Sequence, residues 1–395
     1  MTAIRRARQS RPWSWLPLGV ALAVALAATM VSRPVLAQGN LSTQGLGYPP
    51  GEVTTATMGT GGAFGESDPV SAINPAALAS WGRAAIHFQY DPEFRTVSSS
   101  QGTDHATTVR FPLLSAGVPI GSRFVIGLSL GTLLDRSWQT RQVQLIPVGD
   151  TQIVSGQTFR STGGIEDVRL ALGYKASSWL RFGVGLHALT GRNQIQVTRD
   201  FPDTAVVKTQ PYSDTSTYNF SGVAGSAGID VRPSPLWEIS ASMRAGGALR
   251  SYRRDTLQTS ANVPPRAGAA VRYTGISGLS LAVRGDWEGW SKLDGLGSPA
   301  ANATDAWEWS AGAEFLGPKV GSQSTLLRLG ALTHTLPFEA DGALVRENAV
   351  SGGIGIPVRF DQATIDLALQ RAFRSASIGV SESAWTLSVG LTVRP

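Results

Sequence analysis

The sequence predicts an all-β protein: a transmembrane, antiparallel, up-and-down β-barrel of about 14 strands with an N-terminal plug (hatch) inside its lumen. Three observations lead to this fold class. A glycine-rich stretch near the N-terminus does not alternate, apolar and polar residues alternate from about residue 83 onward, and short turns are interleaved with long polar connections. Trp307 and Trp309, for example, alternate with Glu308 and Ser310. Strict alternation indicates strands with one apolar and one polar face.

Residues 1–37 are predicted to be a secretory signal peptide that is cleaved near Ala37. The apolar run Leu16–Ala28 follows a positively charged start and precedes small residues suited to cleavage. An uncleaved anchor helix is the alternative, because Trp15 to Val31 is 17 residues without a charge, close to the spanning minimum of ~17. Pro17 and the small-residue site favour cleavage.

Most of the excess positive charge of the sequence lies in this leader. The precursor has a net charge of +6 and a pI near 9.9, but the leader holds five arginines and no acid: Arg5, Arg6, Arg8, Arg11 and Arg33. Its removal leaves a net charge of about +1, so no nucleic-acid partner is predicted. The chain has no cysteine, which excludes a disulfide framework.

Residues 38–82 are predicted to form the plug, and residues 83–395 the barrel. The stretch Ala56–Leu78 is rich in glycine and has too few apolar residues for a core of its own, so it must pack inside something else. Asp68 and Asn74 each precede a proline, which favours turns, and turn formation alone is an alternative to a gate role. The predicted gate motif comprises Gly59, Gly61, Gly62, Phe64, Asp68, Asn74, Pro75 and Ala76.

The positions of charged and aromatic residues indicate whether the apolar face of the strands packs against a second sheet or contacts lipid. A soluble sandwich would bury that face against a second sheet, whereas an outer-membrane barrel turns it to lipid. Charged residues occupy the polar face at mid-strand, as expected of a wet lumen: Arg169, Arg244, Arg284, Glu308 and Asp366. Aromatic residues gather near strand ends, as in interfacial girdles: Trp179, Trp237, Tyr252, Tyr273, Trp307 and Trp385. The protein is therefore predicted to lie in the lipid of the bacterial outer membrane.

Connection lengths support an up-and-down barrel. Short turns are predicted at 119–122, 176–178, 233–235, 275–278, 317–322 and 359–362, and long loops at 98–104, 138–164, 198–213, 253–262, 293–304, 339–348 and 375–383. Six turns and seven loops join 14 strands. Because that number is even, both termini are predicted on the periplasmic, short-turn side, and the plug is predicted to enter from there.

Three ordered stretches resemble the outer-membrane long-chain fatty-acid transporter family (FadL type). They are Gly-Gly-Ala-Phe at 61–64 with Asp68 and Asn-Pro-Ala-Ala-Leu at 74–78, the hairpin 263–273 and 279–291, and the segments 327–338, 351–357 and 365–369. The resemblance implies passive uptake of hydrophobic molecules such as long-chain fatty acids. It also implies apolar pockets near the outer face, a plugged lumen and a sideways exit beside a kinked strand.

Within this resemblance, the sequence offers a candidate ligand surface. Its apolar members are Leu133, Leu134, Trp138, Leu145, Ile146, Ile153 and Phe159, most of them in the predicted loop 138–164. Leu133 and Leu134 break the alternation, and Gly127 and Gly131 are predicted to admit a strand kink. The expected partners are a hydrophobic small molecule and, during biogenesis, the barrel-insertion machinery. The chain ends Thr-Val-Arg-Pro and so lacks the terminal aromatic residue of many outer-membrane barrels.

No enzyme activity, cofactor or metal site is predicted. Gly127-Leu-Ser-Leu-Gly131 fits a nucleophile-elbow pattern, but that motif needs a strained strand-to-helix turn, and Ser129 lies inside an alternating strand. The four histidines (His87, His105, His187 and His334) lack metal-ligand spacing and are predicted to be luminal or rim residues.

Two other functions remain open beside hydrophobic uptake. One is a structural, assembly or shuttle barrel of a protein secretion system, which would bind a protein partner and leave its lumen empty of ligand. The other is a general diffusion porin, which would conduct ions steadily through an open water path.

Overall fold

A computed structural model describes residues 41, 47–100, 102–148, 151–201, 211–296, 302–320, 323–340, 342–358, 362–377 and 379–394. The predicted signal peptide lies outside these residues. The chain divides into two compact units. The larger unit comprises 39–139, 160–195 and 215–395, and the smaller comprises 1–38, 140–159 and 196–214.

The described residues form a closed antiparallel barrel of fourteen strands, so the predicted fold class is confirmed. The strands are β1 Ala85–Ser99, β2 Gly102–Arg110 with Leu113–Ile120, β3 Phe124–Asp135 with Trp138–Val148, β4 Thr151–Lys175, β5 Leu180–Asp200, β6 Tyr212–Ser234, β7 Trp237–Gly246 with Ala248–Arg253, β8 Thr256–Asn262 with Arg266–Ile276, β9 Leu279–Glu288, β10 Ala306–Val320, β11 Gln323–Thr335, β12 Arg346–Val358, β13 Ala363–Ser375 and β14 Ser381–Val393. β1 closes the barrel by pairing with β14, for example His87 with Thr392. Closure leaves no sheet edge unpaired in the hydrocarbon region.

Three short helices accompany the strands in the described part of the chain. They are α1 Thr55–Gly59 and two 3₁₀ turns, Ala77–Ser80 and Trp290–Leu293. None of the described helices has the length and apolarity that crossing a membrane requires.

The alternation separates a lipid-facing surface from a polar inner face. In β5, Leu186 is 70% exposed, whereas the next residue, His187, is 5% exposed. Arg169, Arg244 and Asp366 are buried on the inner face, as predicted from their polar positions. Soluble proteins bury most apolar side chains and expose most charged ones. The opposite distribution, seen here, fits a barrel surrounded by lipid.

Three predicted loops are wrong, because the strands continue through them. Residues 138–164 lie in β3 and β4, which are separated only at 149–150. Residues 253–262 contain a two-residue turn at Arg254 and Asp255, whose φ angles of 47° and 63° suit a tight hairpin. Residues 98–104 also lie largely in β1 and β2. Strands that extend beyond the lipid have two polar faces, so polarity alone does not mark a loop.

The smaller unit is hydrogen-bonded through glutamine side chains where it is described. Gln144 Nε2 donates to Gln157 Oε1 at 3.0 Å, and Arg199 Nη2 donates to the same oxygen at 3.1 Å. Gln196 Nε2 donates to Ser213 Oγ at 3.2 Å. Ladder pairing and these side-chain bonds stabilise extended strands in this unit.

Residues 47–82, called the N-terminal segment below, pack against the inner face of the larger unit. At one end, the backbones of Tyr48 and Asp135 exchange two hydrogen bonds of 2.8 Å, and Tyr48 lies in an apolar cluster with Leu336. At the other end, Trp81 packs against Gly117, near the start of β1. The N-terminal segment therefore begins at the long-loop end of the barrel. The sequence analysis predicted that it would enter from the opposite, short-turn end. An even strand number fixes where the strands begin and end but not the path of the segment before them.

Candidate functional site

Asp68 of the predicted gate motif organises the fold of the N-terminal segment. Its Oδ2 accepts hydrogen bonds from the hydroxyls of Thr54 (2.6 Å), Thr57 (2.8 Å) and Ser71 (2.8 Å). Its Oδ1 accepts one from the backbone N–H of Val70 at 3.0 Å. The carboxylate thus holds α1 and the following turn together, which is the turn-forming alternative foreseen for this residue.

Asn74 has a similar bridging role further along the segment. Its Nδ2 donates to the carbonyl of Glu66 at 2.9 Å, and its Oδ1 accepts from the N–H of Ala76 at 2.9 Å. Pro75 lies so close to β5 that a Cβ placed on Gly183 would be 2.1 Å from the Pro75 carbonyl carbon. The Asn-Pro-Ala motif therefore forms a turn pressed against the barrel wall.

Glycines on both sides allow this close backbone approach. Gly61 and Gly62 have φ angles of 67° and 89°, a region that side chains disfavour. On the wall, a Cβ at Gly330 would lie 2.0 Å from the Thr60 carbonyl carbon. Gly59 and Phe64 are buried in the same part of the segment.

Gly127 and Gly131 also make room for the segment and do not kink β3. The pairing of β3 with β2 and β4 is regular at both glycines. A Cβ at Gly127 would lie 2.9 Å from Leu78, and one at Gly131 would lie 3.2 Å from Glu52. The register shift in β3 falls instead between Thr132 and Leu134, at the break in alternation seen in the sequence.

Ion pairs join the segment to the wall. Glu66, which is fully buried, lies 2.6 Å from Arg266 Nη2 on β8. Arg266 is also 2.7 Å from Asp286, and Arg284 is 2.5 Å from Glu308. These charges lie directly beneath Gly62, whose Cβ position is 3.5 Å from Arg284 Nη1.

A first cavity of about 120 Å³ lies between the N-terminal segment and the wall. Its lining combines apolar side chains with a charged floor. The apolar members include Val53, Met58, Leu133, Trp290 and Leu332. The charged or titratable members are Arg244, Arg266, Arg284, His334, Glu52, Asp286, Glu288, Glu308 and Glu347.

An apolar cluster on the inner face adjoins this cavity, and Leu133 and Trp290 belong to both. Within the described residues, the cluster comprises Leu133, Leu134, Ile165, Leu189, Phe220, Leu249, Ala261, Val263, Trp290, Leu293, Leu296, Ala303 and Phe338. The sequence analysis found only Leu133 and Leu134. Leu189 and Leu249 occupy inward positions that are otherwise polar, and such exceptions to the alternation are the signal that could have identified the cluster.

The other members of the predicted ligand surface are spread over both units. Trp138, in the larger unit, is half-buried. In the smaller unit, Ile153 is buried, while Leu145, Ile146 and Phe159 are half-buried. All of them lie in strands rather than in a loop.

A second cavity, of about 550 Å³, lies on the opposite side of α1. Its lining includes the charged or titratable residues Asp68, His87, Arg328, Asp366 and Arg394 beside apolar ones such as Val70 and Leu326. Both cavities therefore combine apolar and charged lining residues, and they differ mainly in volume.

A family model with the description BamG matches residues 20–261. The chain belongs to the BamG family. No curated protein matches this sequence.

Solved structures similar to this BamG-family chain include the following three. A Pseudomonas aeruginosa FadL homologue has a TM-score of 0.58 at 14% identity, with 88% of this chain and 99% of that chain covered. The Pseudomonas putida toluene transporter TodX has a TM-score of 0.55 at 12% identity, covering 87% and 98%. The monoaromatic hydrocarbon channel CymD has a TM-score of 0.53 at 15% identity, covering 87% and 97%. These likenesses show that the FadL-type fold predicted from the sequence is correct.

Within the described part of this BamG-family chain, no group of three or more acidic or histidine side chains could hold a metal ion. Ser129 lies on the inner face of β3, where its hydroxyl accepts a hydrogen bond from Arg169 Nε at 3.3 Å. It has no strand-to-helix turn around it, in agreement with the predicted luminal position.

Glu52 gives the segment a predicted pH dependence. Burial raises the pKa of this carboxyl to about 7, with a further contribution from Asp167, while Arg244 opposes the shift. A raised pKa means that packing against the wall favours the protonated acid, so packing is strongest below the ordinary carboxyl pKa and weakens as pH rises through about 7. Backbone hydrogen exchange in residues 47–82, corrected for the intrinsic pH dependence of exchange, should be faster at pH 8 than at pH 6. Glu52→Gln should remove that difference, and a difference that persists would contradict the assignment.

Proposed function

We propose that this chain is an outer-membrane channel for the passive uptake of hydrophobic molecules. The apolar cluster on the inner face carries the proposal. A barrel that conducts water-soluble molecules has a polar interior, whereas here apolar side chains from several strands and two connections meet beside a cavity. Such a surface binds an apolar solute by removing it from water.

The size of the first cavity favours a small ligand in this conformation. At about 120 Å³, it is near the ~150 Å³ apolar cavity that holds benzene and below the ~300 Å³ at which pockets for drug-sized ligands begin. We therefore propose that the ligand is a monoaromatic or short aliphatic compound rather than an extended long-chain fatty acid. Two structurally similar proteins are described as a toluene transporter and a monoaromatic hydrocarbon channel.

In this proposal the N-terminal segment acts as the hatch that closes the lumen, and the ligand leaves sideways. β2 is interrupted at Phe111 and Pro112, and proline has no N–H for the ladder. Phe111 is 60% exposed on the lipid side. The Pro112 carbonyl accepts a hydrogen bond from Thr132 at 3.2 Å, next to the cavity residue Leu133. We propose this interruption as the place where the ligand passes from the cavity to lipid.

Leu133→Asn tests the binding site directly. A buried amide without a partner costs ~1–3 kcal/mol, so toluene or a similar apolar probe should bind roughly 5- to 150-fold more weakly. Binding is measured by calorimetry, with native mass spectrometry of the detergent-purified protein to detect copurified ligand. Leu133→Met is the matched control, because it keeps the site apolar and should retain affinity.

The same preparation separates uptake from the assembly or shuttle alternative. Failure of the wild-type protein to bind any apolar probe, together with a protein partner that copurifies stoichiometrically, would favour the alternative. Steady ion conductance would instead indicate a general porin.

A further inference from the structure

Three inward-facing side chains on adjacent strands form a continuous hydrogen-bonded chain. Asp167 on β4 contacts His187 Nδ1 on β5 at 2.8 and 2.9 Å. His187 Nε2 lies 2.8 Å from Ser226 Oγ on β6. We propose that these residues form a nucleophilic serine site that hydrolyses small carboxylic esters inside the barrel, an activity beyond the proposed channel function.

The hydrogen-bond directions suit this chemistry. An ionised carboxylate only accepts hydrogen bonds, so Asp167 fixes the proton of the neutral imidazole on Nδ1. Nε2 is then an acceptor, and the Ser226 hydroxyl donates to it. A serine activated by a histidine that a carboxylate orients is the arrangement required for nucleophilic catalysis. Asp167 acts here as a positioning residue.

Arg244 links the site to the first cavity. Ser226 pairs across the ladder with Arg244, which lines that cavity, and cross-strand partners have Cβ atoms ~4.5–5.5 Å apart. Ser226 is half-buried and its hydroxyl points toward His187 on the inner face. Gly185 leaves space for that hydroxyl, because a Cβ there would be 2.5 Å from Ser226 Oγ.

Two buried guanidinium groups provide donors for a developing negative charge. Arg244 is 5% exposed and Arg169 is 3% exposed. Among the described residues, Arg244 Nε and Nη2 and Arg169 Nη1 have no hydrogen-bond partner. Arg244 Nη1 is 3.3 Å from Asp167, and the side chain of Arg169 passes within 3.4 Å of the Gly185 Cβ position. Unpaired donors in a buried site can stabilise a tetrahedral oxyanion.

The reaction then follows in two balanced halves. Ser226 Oγ forms a bond to the ester carbonyl carbon as its proton passes to His187 Nε2, and the bond to the alkoxy oxygen breaks as that proton passes to the leaving alcohol. Water next attacks the acyl-serine, giving its proton to His187. The Oγ–acyl bond breaks, the serine regains a proton, and the carboxylic acid leaves.

Covalent labelling of the full-length protein in detergent tests the proposal. A fluorophosphonate probe should modify Ser226, as identified by peptide mapping of the wild-type protein, and p-nitrophenyl acetate should be hydrolysed. His187→Asn should slow both reactions at least ~100-fold. Asp167→Asn should slow them and change their pH profile. Ser240→Ala is the matched control: it removes a luminal hydroxyl that donates to Asp230 rather than to a histidine or a site arginine, and it should leave both rates unchanged.

The mapping of the wild-type adduct does not depend on how any variant folds. Label absent from Ser226, or present on Ser226 and Ser240 to the same extent, would overturn the proposal. Labelling of Ser226 that is unaffected in a folded His187→Asn barrel would overturn it as well. Loss of the esterase reaction with intact binding of toluene would leave the channel function standing, so the two proposals fail separately.

Discussion

Replacing Gly330 with alanine is expected to displace the N-terminal segment and raise ion conductance from a closed baseline to frequent openings. A Cβ at this position would be 2.0 Å from the carbonyl carbon of Thr60, 2.2 Å from its oxygen and 2.3 Å from the nitrogen of Gly61. All three are backbone atoms, which cannot rotate away as a side chain can. Overpacking of this kind costs ~1–3 kcal/mol, and moving the segment relieves it more easily than distorting a closed ladder.

Planar-bilayer recordings measure this effect. Gly352→Ala on the next strand is the matched control, because the nearest atom to its Cβ position is 3.5 Å away on the Leu329 side chain. We expect Gly183→Ala, which meets Pro75 at 2.1 Å, to behave like Gly330→Ala. If Gly330→Ala stays as closed as Gly352→Ala, this contact does not hold a hatch.

The barrel could be predicted because its signal is repeated along the chain. Lipid outside and a polar lumen inside impose the same alternation on every strand, and the strand number is predicted from the six turns and seven loops between the alternating stretches. Loop boundaries could not be predicted the same way, since strands such as β4, Thr151–Lys175, extend beyond the lipid. There both faces of a strand can be polar, and the periodic signal disappears.

The candidate site was predictable only where its residues are neighbours in sequence. The gate motif is a local run, so its turns could be foreseen from Asp68 and Asn74. The pairing of Glu66 with Arg266 joins residues 200 positions apart, and Asp167, His187 and Ser226 meet only because three strands are adjacent. Leu189 and Leu249 are single exceptions on their own strands, and their meaning depends on the register that brings them to the other members of the apolar cluster.

Glu66→Gln is expected to release the segment through charge rather than through size. Glu66 is fully buried and lies 2.6 Å from Arg266, and removing one member of a buried ion pair costs about 3–5 kcal/mol. Part of that cost is offset, because Asp286 remains 2.7 Å from Arg266. The amide has nearly the same shape as the acid, so the packing around it is retained. The variant should therefore show raised conductance and a lower unfolding temperature.

Asp230→Asn separates loss of closure from loss of barrel stability. Asp230 is buried like Glu66 and forms an ion pair with Arg181, but both residues belong to barrel strands. Its loss should lower the unfolding temperature and leave the conductance at the wild-type level. If both variants conduct equally, the ion pairs stabilise the barrel as a whole and Glu66 has no specific part in closure. If Glu66→Gln alone conducts, the Glu66–Arg266 pair is the point at which charge holds the segment in the lumen.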